Sequence, residues 1–388
     1  MSRRRVLAVT GIRSEYFHLR PVLRALVEHG GFELGVCAMG AHLAPIHDFS
    51  VRQIEADGFA VVERVVSLFA DDSLLARTKG IGLQVLGLSQ AVAREQSELI
   101  LVLGDREEAL VAALVGCYMN VPVAHLAGGD RTLGNIDDSV RHAVSKLAHL
   151  HFAFSEESAQ RLLAMGEEAW RVVVSGAPAL DEIAAIGPID PAELGRRLDF
   201  PAEEPYFVLI QHGQSSEIER AESQIELTLA ALAESGAPTA VIAPNTDTGS
   251  RAILAAIEAY VARYRQIRSF AMLERPLFIN LLRHARALVG NSSCGLIEAP
   301  FLGLPAINLG NRQSNRLHAE NVLFVPFDPD ALRAALQALL HDAELRERLS
   351  ACASPYGDGG ACPRIVERLA AIPLDRRLLD KDFVDPPR

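Results

Sequence analysis

Residues 290–316 read GNSSCGLIEAPFLGLPAINLGNRQSNR and contain the local pattern from which the fold is inferred. The apolar residues 287–289 just before them predict a buried strand that ends at Gly290. Small polar residues then suit the start of a helix, and residues 304–310 predict a second buried strand. A strand, a Gly/Ser turn, a helix and another strand in succession are typical of a parallel α/β sheet.

The predicted helix start is also a candidate anion site. The first N–H groups of a helix have no partners within it and suit a phosphate, and the hydroxyls of Ser292 and Ser293 add donors. Glu298, one to two turns into the helix, is placed to accept the two hydroxyls of a ribose, and Arg312 follows the second strand. The pattern predicts a cradle for a nucleoside diphosphate. The alternative is that Ser292 only caps the helix and that Glu298 is a surface residue.

The composition indicates a two-domain protein that does not bind nucleic acid. The chain has 388 residues, of which 49% are hydrophobic, enough to bury a sizeable core. Its 38 basic and 49 acidic residues give a net charge of -11. Nucleic-acid binding needs a surplus of positive charge on one face, so we expect no nucleic-acid partner.

The cysteines and the apolar runs predict the compartment. Five cysteines are scattered without a C-x-x-C pair: Cys37, Cys117, Cys294, Cys352 and Cys362. This pattern is typical of reduced thiols in a cytoplasmic protein rather than of a disulfide framework or a zinc site. The apolar run after the basic N-terminus covers only residues 6–9, and no later run is long enough to cross a bilayer. We expect a soluble cytoplasmic protein with no membrane partner.

Short apolar runs alternate with stretches of helical period through the first half of the chain. The predicted strands are 6–9, 34–37, 99–103, 121–124, 151–154 and 171–174. The predicted helices are 19–28, 73–94, 108–119, 138–148 and 156–165. This alternation predicts a parallel sheet with helices on both faces, in which ligands bind at the carboxyl ends of the strands.

Residues 176–205 contain several prolines, and we interpret this stretch as the domain boundary. A second alternation follows, with predicted strands at 206–211, 240–243, 268–272, 287–289, 305–309 and 322–325 and late helices at 329–340 and 363–371. The predicted parts are an N-terminal Rossmann-like domain (1–176), a linker (177–205), a C-terminal Rossmann-like domain (206–371) and a tail (372–388). The predicted fold class is α/β, with two Rossmann-like domains facing a cleft.

Polar residues follow the first two predicted strands. Gly11 permits a tight turn after the first strand, and Arg13 is placed where a guanidinium would meet a diphosphate. Glu15 and His18 come next, and a surface pair between Arg13 and Glu15 is the alternative interpretation. His42 follows the second strand and carries little weight taken alone.

Carboxylates follow the next predicted strands. Asp105 ends the strand that should be most buried, where a carboxylate is costly unless it has a task or a partner. Asp130 follows the next strand, and Asp137 begins a helix that carries Arg141 one turn later on the same face. We predict that the three carboxylates point to one cleft and that Arg141 orients Asp137 or holds a phosphate. Helix capping by Asp105 and a structural salt-bridge network are the alternatives.

The sequence contains no familiar cofactor motif. It has no G-x-x-x-x-G-K-S/T phosphate loop, and Gly80-Ile81-Gly82 does not follow a predicted strand as a dinucleotide fingerprint would. His142, His149 and His151 match no zinc spacing and are expected on helix faces or in the core. We therefore predict no metal and no cofactor, and a dehydrogenase is a poor interpretation.

Two polar strand ends of the second half are candidates for the same cleft. His212 follows the first strand there, and imidazole is the side chain whose ordinary pKa suits proton transfer near neutral pH. The second strand ends in the polar residues PNTDTG, which include Asn245. Both segments predict ligand contacts from the second domain.

Taken together, these segments resemble the hydrolysing UDP-N-acetylglucosamine 2-epimerase family. In chain order the resembling pieces are GIRSEY at 11–16, GAHL at 40–43, GDR at 104–106, HLAGGD at 125–130, IDDSVRH at 136–142, PN at 244–245 and the 290–316 stretch with NLGNRQ at 308–313. One such piece is weak evidence, whereas all of them in this order are strong. The resemblance runs from near the N-terminus to about Val325.

The resemblance implies a fold similar to that of the two-domain B-type (GT-B) glycosyltransferases and a UDP-sugar substrate. It implies that phosphate and ribose are bound by Ser292, Ser293, Glu298 and Arg312, with Arg13 reaching across from the first domain. It also implies substrate contacts from Glu15, His18, His42, Arg106 and Asn245. The catalytic residues that it implies are Asp105, Asp130, Asp137, Arg141 and His212.

The family's reaction eliminates UDP across C1 and C2 of the sugar to give a glycal. Addition of water then releases N-acetylmannosamine and UDP. Carbon–oxygen cleavage leads because the C2 proton is hardly acidic, and nearby carboxylates stabilise the oxocarbenium-like centre.

Several positions depart from the family's pattern. Ala127 stands where the family often has an acidic residue, and Asp130 stands where it commonly has Glu. Glu15 and His18 stand where Asp and Lys are frequent. These changes favour, as an alternative substrate, a 2,4-diacetamido-trideoxy hexose of the legionaminic-acid route.

Other activities would use the same nucleotide site. A B-type glycosyltransferase would need an acceptor site and would leave C2 of the sugar unchanged. A non-hydrolysing 2-epimerase would return a UDP-sugar, and it usually has Gly-Asp-Thr where this chain has Gly104-Asp105-Arg106. A nucleotide-sugar-binding regulator without turnover is a further alternative. The resemblance also implies a homodimer or a homotetramer.

Overall fold

The structure is a computed structural model that describes residues 3–45, 49–69, 73–131, 136–244, 249–271 and 273–385, without the side chains of Ser215 and Ser216. The predicted ligand Asn245 lies outside these residues, so its placement stays a prediction. Contacts divide the chain into two units. The first unit comprises Met1–Glu182 with Tyr356–Arg388, and the second comprises Ile183–Pro355.

The strands of the first unit form one parallel sheet. They are β1 (Arg4–Thr10), β2 (Phe32–Met39), β3 (Val61–Val65), β4 (Leu99–Leu103), β5 (Val123–Leu126), β6 (Leu150–Ala153) and β7 (Val172–Val174). Their spatial order is β3-β2-β1-β4-β5-β6-β7. The order reverses between β1 and β4, and α/β sheets bind ligands at the carboxyl ends of strands that flank such a switch point.

The second unit repeats this plan. Its strands are β8 (Phe207–Ile210), β9 (Thr239–Ile242), β10 (Ile267–Phe270), β11 (Ala287–Gly290), β12 (Ala306–Leu309) and β13 (Val322–Val325). They are parallel and lie in the order β10-β9-β8-β11-β12-β13. The switch point of this sheet therefore lies between β8 and β11.

Helices connect most of the strands, because a parallel pair needs a long crossover, and further helices follow the last strand. They are α1 (Arg13–His29), α2 (Val51–Ala56), α3 (Leu74–Arg94), α4 (Glu107–Met119), α5 (Ile136–Leu147), α6 (Glu156–Ala164), α7 (Pro178–Ala185), α8 (Pro191–Leu198), α9 (Ala221–Ser235), α10 (Ser250–Arg263), α11 (Arg275–His284), α12 (Cys294–Phe301), α13 (Pro329–His341), α14 (Ala343–Ser350), α15 (Ala361–Ala371) and α16 (Arg376–Leu379). Short 3-10 helices lie at Gly40–Leu43, Ala169–Arg171 and Ser215–Arg220. In the part of the chain that the structure describes, no helix combines the length and the apolar character needed to cross a membrane.

Apolar strands covered on both faces explain why the two sheets form. Every residue of β4 is buried, and Ile100 and Val102 lie in one core cluster with Ala112 of α4. In the second unit, Val289 of β11 lies in a cluster with Leu229 of α9. Each fully buried side chain of this kind contributes about 1.5–3 kcal/mol to folding.

The predicted alternation of strands and helices is confirmed, and the predicted bounds of β4 and β13 match the structure. Several elements have no counterpart in the prediction, among them β3, α2, α7 and α8. In β3, the charged Glu63 and Arg64 interrupt the apolar run, and α2 is too short to show a helical period. The strand β5 begins two residues later than predicted, because Pro122 has no N–H for the ladder.

The domain boundaries differ from the predicted ones. The predicted linker 177–205 contains α7 and α8, and the boundary between the units falls inside α7 after Glu182. The predicted C-terminal domain ended at residue 371, but α15 belongs to the first unit. Prolines thus mark helix starts here as well as a boundary, since α7 and α8 both begin with proline.

Arg171 explains why the C-terminal segment packs with the first unit. Its guanidinium is fully buried and donates to the backbone carbonyls of Leu378 at 2.7 Å and Asp380 at 2.8 Å. Backbone carbonyls are present in any sequence. The predicted tail therefore shows no motif, although it is held in place.

Glu167 fastens the same segment through its side chain. Its buried carboxylate accepts hydrogen bonds from His151 at 2.9 Å and Lys146 at 2.7 Å, and Lys381 Nζ lies 2.7 Å from Oε2. Burial opposes ionisation, but these hydrogen bonds outweigh it and lower the pKa of Glu167 to about 2. The carboxylate is therefore charged in the folded protein at physiological pH.

Replacing this carboxylate is expected to destabilise the first unit strongly. Glu167→Gln should lower the free energy of unfolding near neutral pH by about 3 kcal/mol, because the largely buried Lys381 loses its counter-ion. The folded pKa lies below the ordinary 4.5, so the stabilisation is complete above that pH and is lost as the pH falls toward 2. Urea unfolding as a function of pH should show that the free energies of unfolding of the wild type and Glu167→Gln converge in acid.

The matched control is Glu157→Gln, which breaks an exposed pair with Arg161 on α6. It should cost less than about 0.5 kcal/mol at any pH. If Glu157→Gln and Glu167→Gln lost equal amounts of stability, the result would contradict the role given to Glu167.

Candidate active site

The switch point of the first unit places Asp105 beside the end of β1. The strands β1 and β4 pair in parallel, with Ala8 opposite Leu101. Gly104 turns the chain out of the sheet with φ 83°, a left-handed conformation that favours glycine. Asp105 therefore lies at the carboxyl end of a central, buried strand, as its sequence context predicts.

Asp105 forms an ion pair with Arg141 of α5. The Arg141 side chain is only 6% exposed, and its Nη1 also donates to the carbonyl of Ala127 at 3.0 Å. One guanidinium thus joins the end of β4, the turn after β5 and a helix. The ion pair agrees with the alternative of a salt-bridge network, but the Asp105 side chain is 21% exposed and accessible to a ligand.

Asp137 lies one turn before Arg141 on α5. Burial raises the pKa of Asp137, and the charge of Asp105 raises it further, against the opposing effects of Arg106, Arg77 and Arg141. Asp105 pairs with Arg141, which lies one helical turn after Asp137, so both carboxylates lie at the N-terminal half of α5. A carboxyl group of raised pKa beside an ion-paired one suits proton transfer.

Asp130 ends a tight turn that follows β5. Ala127 has φ 62° and Gly129 has φ 76°, and the left-handed conformation is uncommon for a residue with a side chain such as Ala127. A Cβ on Gly129 would lie 2.2 Å from the carbonyl oxygen of Ser158. Asp130 is buried, and its Oδ1 accepts the N–H of Arg131 at 2.8 Å. The turn therefore holds Asp130 in one orientation.

His125 supports the same cluster from inside the sheet. Its ring is buried, and Nε2–H donates to the carbonyl of Gly104 at 2.7 Å, directly before Asp105. Burial lowers the pKa of His125 to about 3, so the ring is neutral at physiological pH. Sequence reasoning does not single out His125, because a histidine within an apolar strand is usually a core residue.

Glu15 lies behind the end of β1. Its side chain is buried, and Oε2 accepts the N–H of Gly11 at 3.0 Å and the hydroxyl of Thr10 at 3.4 Å. Burial raises the pKa of Glu15 to about 8, helped by the neighbouring Glu108 and opposed by the Gly11 N–H. At neutral pH this carboxyl group is mostly protonated.

Arg13 and His18 also lie on α1, and both are partly exposed. The Arg13 guanidinium lies over the ring of Phe17, with Cζ 5.8 Å from its centroid. Because Glu15 is buried, the alternative of a surface pair between Arg13 and Glu15 is wrong. Direct contacts of Arg13 and His18 with a substrate stay predictions.

His42 is enclosed by protein on all sides. Its ring has no exposed surface, with Nε2 3.1 Å from the Thr10 hydroxyl and Nδ1 2.8 Å from the Ser50 hydroxyl. Burial, helped by the charge of Arg106, lowers the pKa of His42 to about 4. A fully enclosed ring cannot touch a ligand in this conformation. The predicted role as a substrate ligand is therefore not seen, and His42 supports Thr10 from behind.

The buried Glu15 carboxyl should make the stability of the protein depend on pH. Its folded pKa of about 8 exceeds the ordinary 4.5, so between these values the folded state keeps a proton that the unfolded state loses. Stability should therefore fall as the pH rises through this window, by up to about 1.4 kcal/mol per pH unit. Glu15→Gln keeps the shape of the side chain and should remove this slope in urea unfolding.

Glu98→Gln is the control, because that carboxylate is exposed and lies 3.7 Å from Arg5. It should leave the pH dependence of the wild type unchanged. Parallel stability curves for the wild type and Glu15→Gln would show that Glu15 is ionised in the folded state.

Asn291 organises the switch point of the second unit. The strands β8 and β11 pair with Ile210 opposite Gly290. The buried Asn291 side chain accepts the N–H of His212 at 2.7 Å and donates to its carbonyl at 2.9 Å. Sequence reasoning does not identify Asn291, because an asparagine after a strand reads as a helix cap. The structure shows that it fixes the backbone of His212, which is partly exposed.

The start of α12 agrees with the predicted capping interaction. Ser292 Oγ accepts the N–H of Cys294, the first residue of α12, at 3.3 Å, so Ser292 makes a capping hydrogen bond. Ser293 occupies the N-cap position, and its side chain makes no capping hydrogen bond. Both serines are partly exposed. A hydroxyl that accepts a capping bond keeps its own hydrogen for donation, so capping and anion binding are compatible.

Glu298 is not a surface residue. It is buried on α12, and its Oε1 lies 2.5 Å from Nη2 of Arg275, the first residue of α11. The alternative that placed Glu298 on the surface is therefore wrong. Sequence reasoning also misses Arg275, because a single arginine before a proline has no distinguishing pattern.

Arg312 lies at the same edge of the sheet. Its Nη1 donates to the carbonyl of Asn291 at 3.0 Å, and Gln313 donates to the same oxygen at 3.1 Å. The structure thus brings Arg312 next to Ser292, as the sequence predicts. An arginine beside a helix start combines two groups that bind phosphate.

The histidines that raised the question of a metal each make contacts of a different kind. Within the described ranges, no group of three or more His, Cys, Asp and Glu side chains is placed to hold a metal ion. His149 accepts the N–H of Val123 at 3.1 Å, and His151 contacts Glu167 as described above. His142 lies on α5, with Nε2 3.7 Å from Asp138.

Comparisons with known proteins agree on one family. A family model described as UDP-N-acetylglucosamine 2-epimerase matches residues 24–370. The chain is 34% identical over 378 residues to the UDP-N,N'-diacetylbacillosamine 2-epimerase (hydrolyzing) of Legionella pneumophila. The aligned region covers 97% of this chain and 98% of that relative. It is 30% identical over 325 residues to the GDP/UDP-N,N'-diacetylbacillosamine 2-epimerase (hydrolyzing) of Campylobacter jejuni, with coverage of 83% and 84%. The UDP-N-acetylglucosamine 2-epimerase of Neisseria meningitidis is 29% identical over 334 residues, with coverage of 86% and 87%.

Solved structures show the same fold. The UDP-GlcNAc 2-epimerase from Neisseria meningitidis bound to UDP-GlcNAc matches with a TM-score of 0.80 and 21% identity over 94% of this chain and 99% of that one. A putative UDP-N-acetylglucosamine 2-epimerase from Listeria monocytogenes matches with a TM-score of 0.78 and 20% identity, covering 94% and 95%. These similarities confirm the predicted GT-B-like fold class with two parallel α/β sheets.

Proposed function

Because the chain belongs to the UDP-N-acetylglucosamine 2-epimerase family, we propose that it hydrolyses a UDP-linked 2-acetamido sugar and releases UDP and the C2 epimer of the free sugar. The observation that carries this proposal is the cluster of Asp105, Asp137 and Arg141 at the switch point of the first unit. The proposed substrate is UDP-N,N'-diacetylbacillosamine, and UDP-N-acetylglucosamine is the second candidate.

The proposed reaction begins with cleavage of the bond between C1 and the phosphate oxygen. UDP leaves with the electron pair, and positive charge develops at C1 and the ring oxygen. Asp105 is the proposed stabiliser of this charge, because the ion pair with Arg141 holds it in place. The C2 proton becomes acidic only at this stage, and its removal gives a glycal.

Water then adds across the double bond, with a proton going to C2 and hydroxide going to C1. Inversion at C2 requires that one proton leaves from one face and another arrives at the opposite face, so two acid–base groups are needed. Asp137, with its raised pKa, is proposed as one of them, and Asp130 is proposed as the other.

The residues around α12 are proposed to bind the nucleotide. Ser292 and Ser293 offer hydroxyl donors at the helix start, and Arg312 adds a guanidinium beside them. Glu298 is proposed to accept the ribose hydroxyls, and His212 to assist at the nucleotide. The predicted contacts from Arg13, His18 and Asn245 belong to the same proposal.

The choice of sugar is supported by the relatives and by the turn after β5. Relatives at 34% and 30% identity are named for N,N'-diacetylbacillosamine, and the one named for N-acetylglucosamine is 29% identical. That sugar, a 2,4-diacetamido-trideoxy hexose, has fewer hydroxyl groups than N-acetylglucosamine. Ala127 offers a methyl group rather than a carboxylate at the turn that carries Asp130, which favours the less polar sugar.

The test is to incubate the protein with each UDP-sugar in deuterated water and to follow the C1, C2 and phosphorus signals by NMR. The expected products are UDP and the free C2 epimer with deuterium at C2. The value of kcat/KM for the diacetamido sugar should exceed that for UDP-N-acetylglucosamine by about 10-fold or more. A reversed preference would overturn the choice of sugar but not the reaction.

Other products would overturn the reaction itself. An epimerised UDP-sugar would indicate a non-hydrolysing 2-epimerase. Transfer to an acceptor without deuterium at C2 would indicate a glycosyltransferase. Binding without turnover would indicate a regulator.

A further inference from the structure

Glu108 is a buried carboxyl group for which the proposed reaction has no role so far. It is the second residue of α4 and is 1% exposed. A Cβ on Gly11 would lie 2.1 Å from its Cδ, and a Cβ on Gly40 would lie 2.4 Å from its Oε1. Atoms cannot approach so closely, so this carboxyl group occupies space that exists only because both positions are glycine.

Arg106 is the cationic partner of Glu108. The Arg106 Nε donates to Glu108 Oε2 at 3.3 Å, and the Arg106 side chain is 34% exposed. The guanidinium is therefore held at one end by a buried group and reaches the surface at the other. Burial and the charge of Glu107 raise the pKa of Glu108, and Arg106 opposes them.

Several other carboxylates compete for the same guanidinium. Glu107 lies 3.6 Å from Arg106, and the charge of Asp137 also interacts with Arg106. Asp105 is the adjacent residue in the chain. Without a fixed partner, Arg106 would be drawn toward these carboxylates, including those that the reaction needs.

We propose that Glu108 is a positioning residue, which holds Arg106 away from Asp105 and Asp137 and in the orientation that binds the substrate. This rests on the proposed function, because it assumes that Arg106 contacts the sugar nucleotide. A displaced guanidinium would both lose the substrate and neutralise a catalytic carboxylate. Gly11 and Gly40 contribute to this positioning, because each leaves space for the Glu108 carboxyl group.

Two variants disturb Glu108 by different means. Glu108→Gln replaces the carboxyl group with an amide of the same shape, whereas Gly11→Ala keeps the carboxyl group and displaces it. Gly11 lies outside the left-handed region, so alanine adds no backbone strain there. Both variants should lower kcat/KM by about 10- to 100-fold, with thermal unfolding measured in parallel.

Two matched controls make the same kinds of substitution at positions that do not disturb the Glu108 carboxyl group. Glu107→Gln removes the neighbouring carboxylate, which is 2.9 Å from Arg77. Gly82→Ala adds a methyl group to α3, where no atom lies within 4 Å of the new Cβ. Each should change kcat/KM by less than about 5-fold. Equal losses in Glu107→Gln and Glu108→Gln would overturn the proposal.

A double-mutant cycle shows whether Glu108 acts through Arg106. If it does, Glu108→Gln combined with Arg106→Gln should lose no more activity than Arg106→Gln alone. If Glu108 had a purely structural role, the fold losses of activity in the two single variants would multiply in the double variant. That result would overturn the proposal.

A readout without turnover keeps this proposal separate from the proposed function. The Arg106 Nε–H signal, identified by its loss in Arg106→Gln, should exchange slowly with solvent in the wild type and quickly in Glu108→Gln. If the wild type hydrolyses none of the UDP-sugars, the proposed function fails while this measurement still decides whether Glu108 holds Arg106. Equal exchange in both proteins would overturn the positioning role.

Discussion

Asp105→Asn is expected to slow the release of UDP by about 100- to 1,000-fold while UDP binding stays nearly unchanged. Asparagine has nearly the same shape but no charge to stabilise the oxocarbenium-like centre of the proposed reaction. The nucleotide is assigned to Ser292, Ser293 and Arg312, which belong to the other unit. Phosphorus NMR measures the release of UDP, and titration calorimetry measures its binding.

Asp138→Asn is the matched control for this variant. Asp138 also lies on the site's helix α5, with an oxygen 3.7 Å from Nε2 of His142, and the proposed reaction gives it no role. It should retain nearly full activity. Substantial turnover by Asp105→Asn would count against a catalytic role for Asp105, and loss of UDP binding would show that the variant disturbs more than the chemistry.

Gly290→Ala is expected to destabilise the second unit by more than about 3 kcal/mol and to abolish UDP binding. The new Cβ would lie 2.0 Å from the carbonyl oxygen of Ile210, and Gly290 has φ 129°. Relief of this clash requires β11 to move away from β8. That movement would separate Asn291 from His212, which are joined by two hydrogen bonds. Urea unfolding and calorimetry with UDP measure the two effects.

The control for backbone strain is Gly236→Ala at the end of α9. Gly236 has φ 73°, but no atom lies within 4 Å of its added Cβ. Its cost should be only about 1–2 kcal/mol, the penalty for a left-handed residue. If the two variants lose equal stability, the contact between Gly290 and Ile210 relaxes without consequence for the sheet.

Local signals were sufficient to place the strands that carry the site. A strand covered on both faces must be apolar throughout, and Leu99–Leu103 is such a run. Gly104 follows because the chain turns there with a positive φ, and Asp105 comes next. Composition and order along the chain therefore place Asp105 at a strand end before any tertiary contact is known.

Spacing on a helix was not sufficient to choose partners. Asp137 and Arg141 lie four residues apart, which suggests that they pair, yet Arg141 pairs with Asp105 from another strand. In the same way, Glu298 was expected to be available for a ribose, and the structure places Arg275 against it. A periodic pattern describes one element, whereas an ion pair depends on two.

Buried polar groups were the least predictable part of the site. Glu108 follows Glu107 in the sequence, and both read as acidic residues in the first turn of a helix. The structure buries Glu108 against Gly11 and Gly40, which come from other parts of the chain. His42 was expected at the ligand, but the contacts of Thr10 and Ser50 enclose it.

The amino-acid sequence alone establishes two parallel α/β sheets, the strand ends that bear Asp105 and Ser292, and the family to which the chain belongs, since these depend on local apolar runs, turns and motif order. The pairing of Arg141 with Asp105, the burial of Glu15 and Glu108, and the return of residues 356–388 to the first unit emerge only in three dimensions. The reason is physical. Desolvation and ion pairing act between groups that are distant along the chain, and no local pattern records which of them will meet.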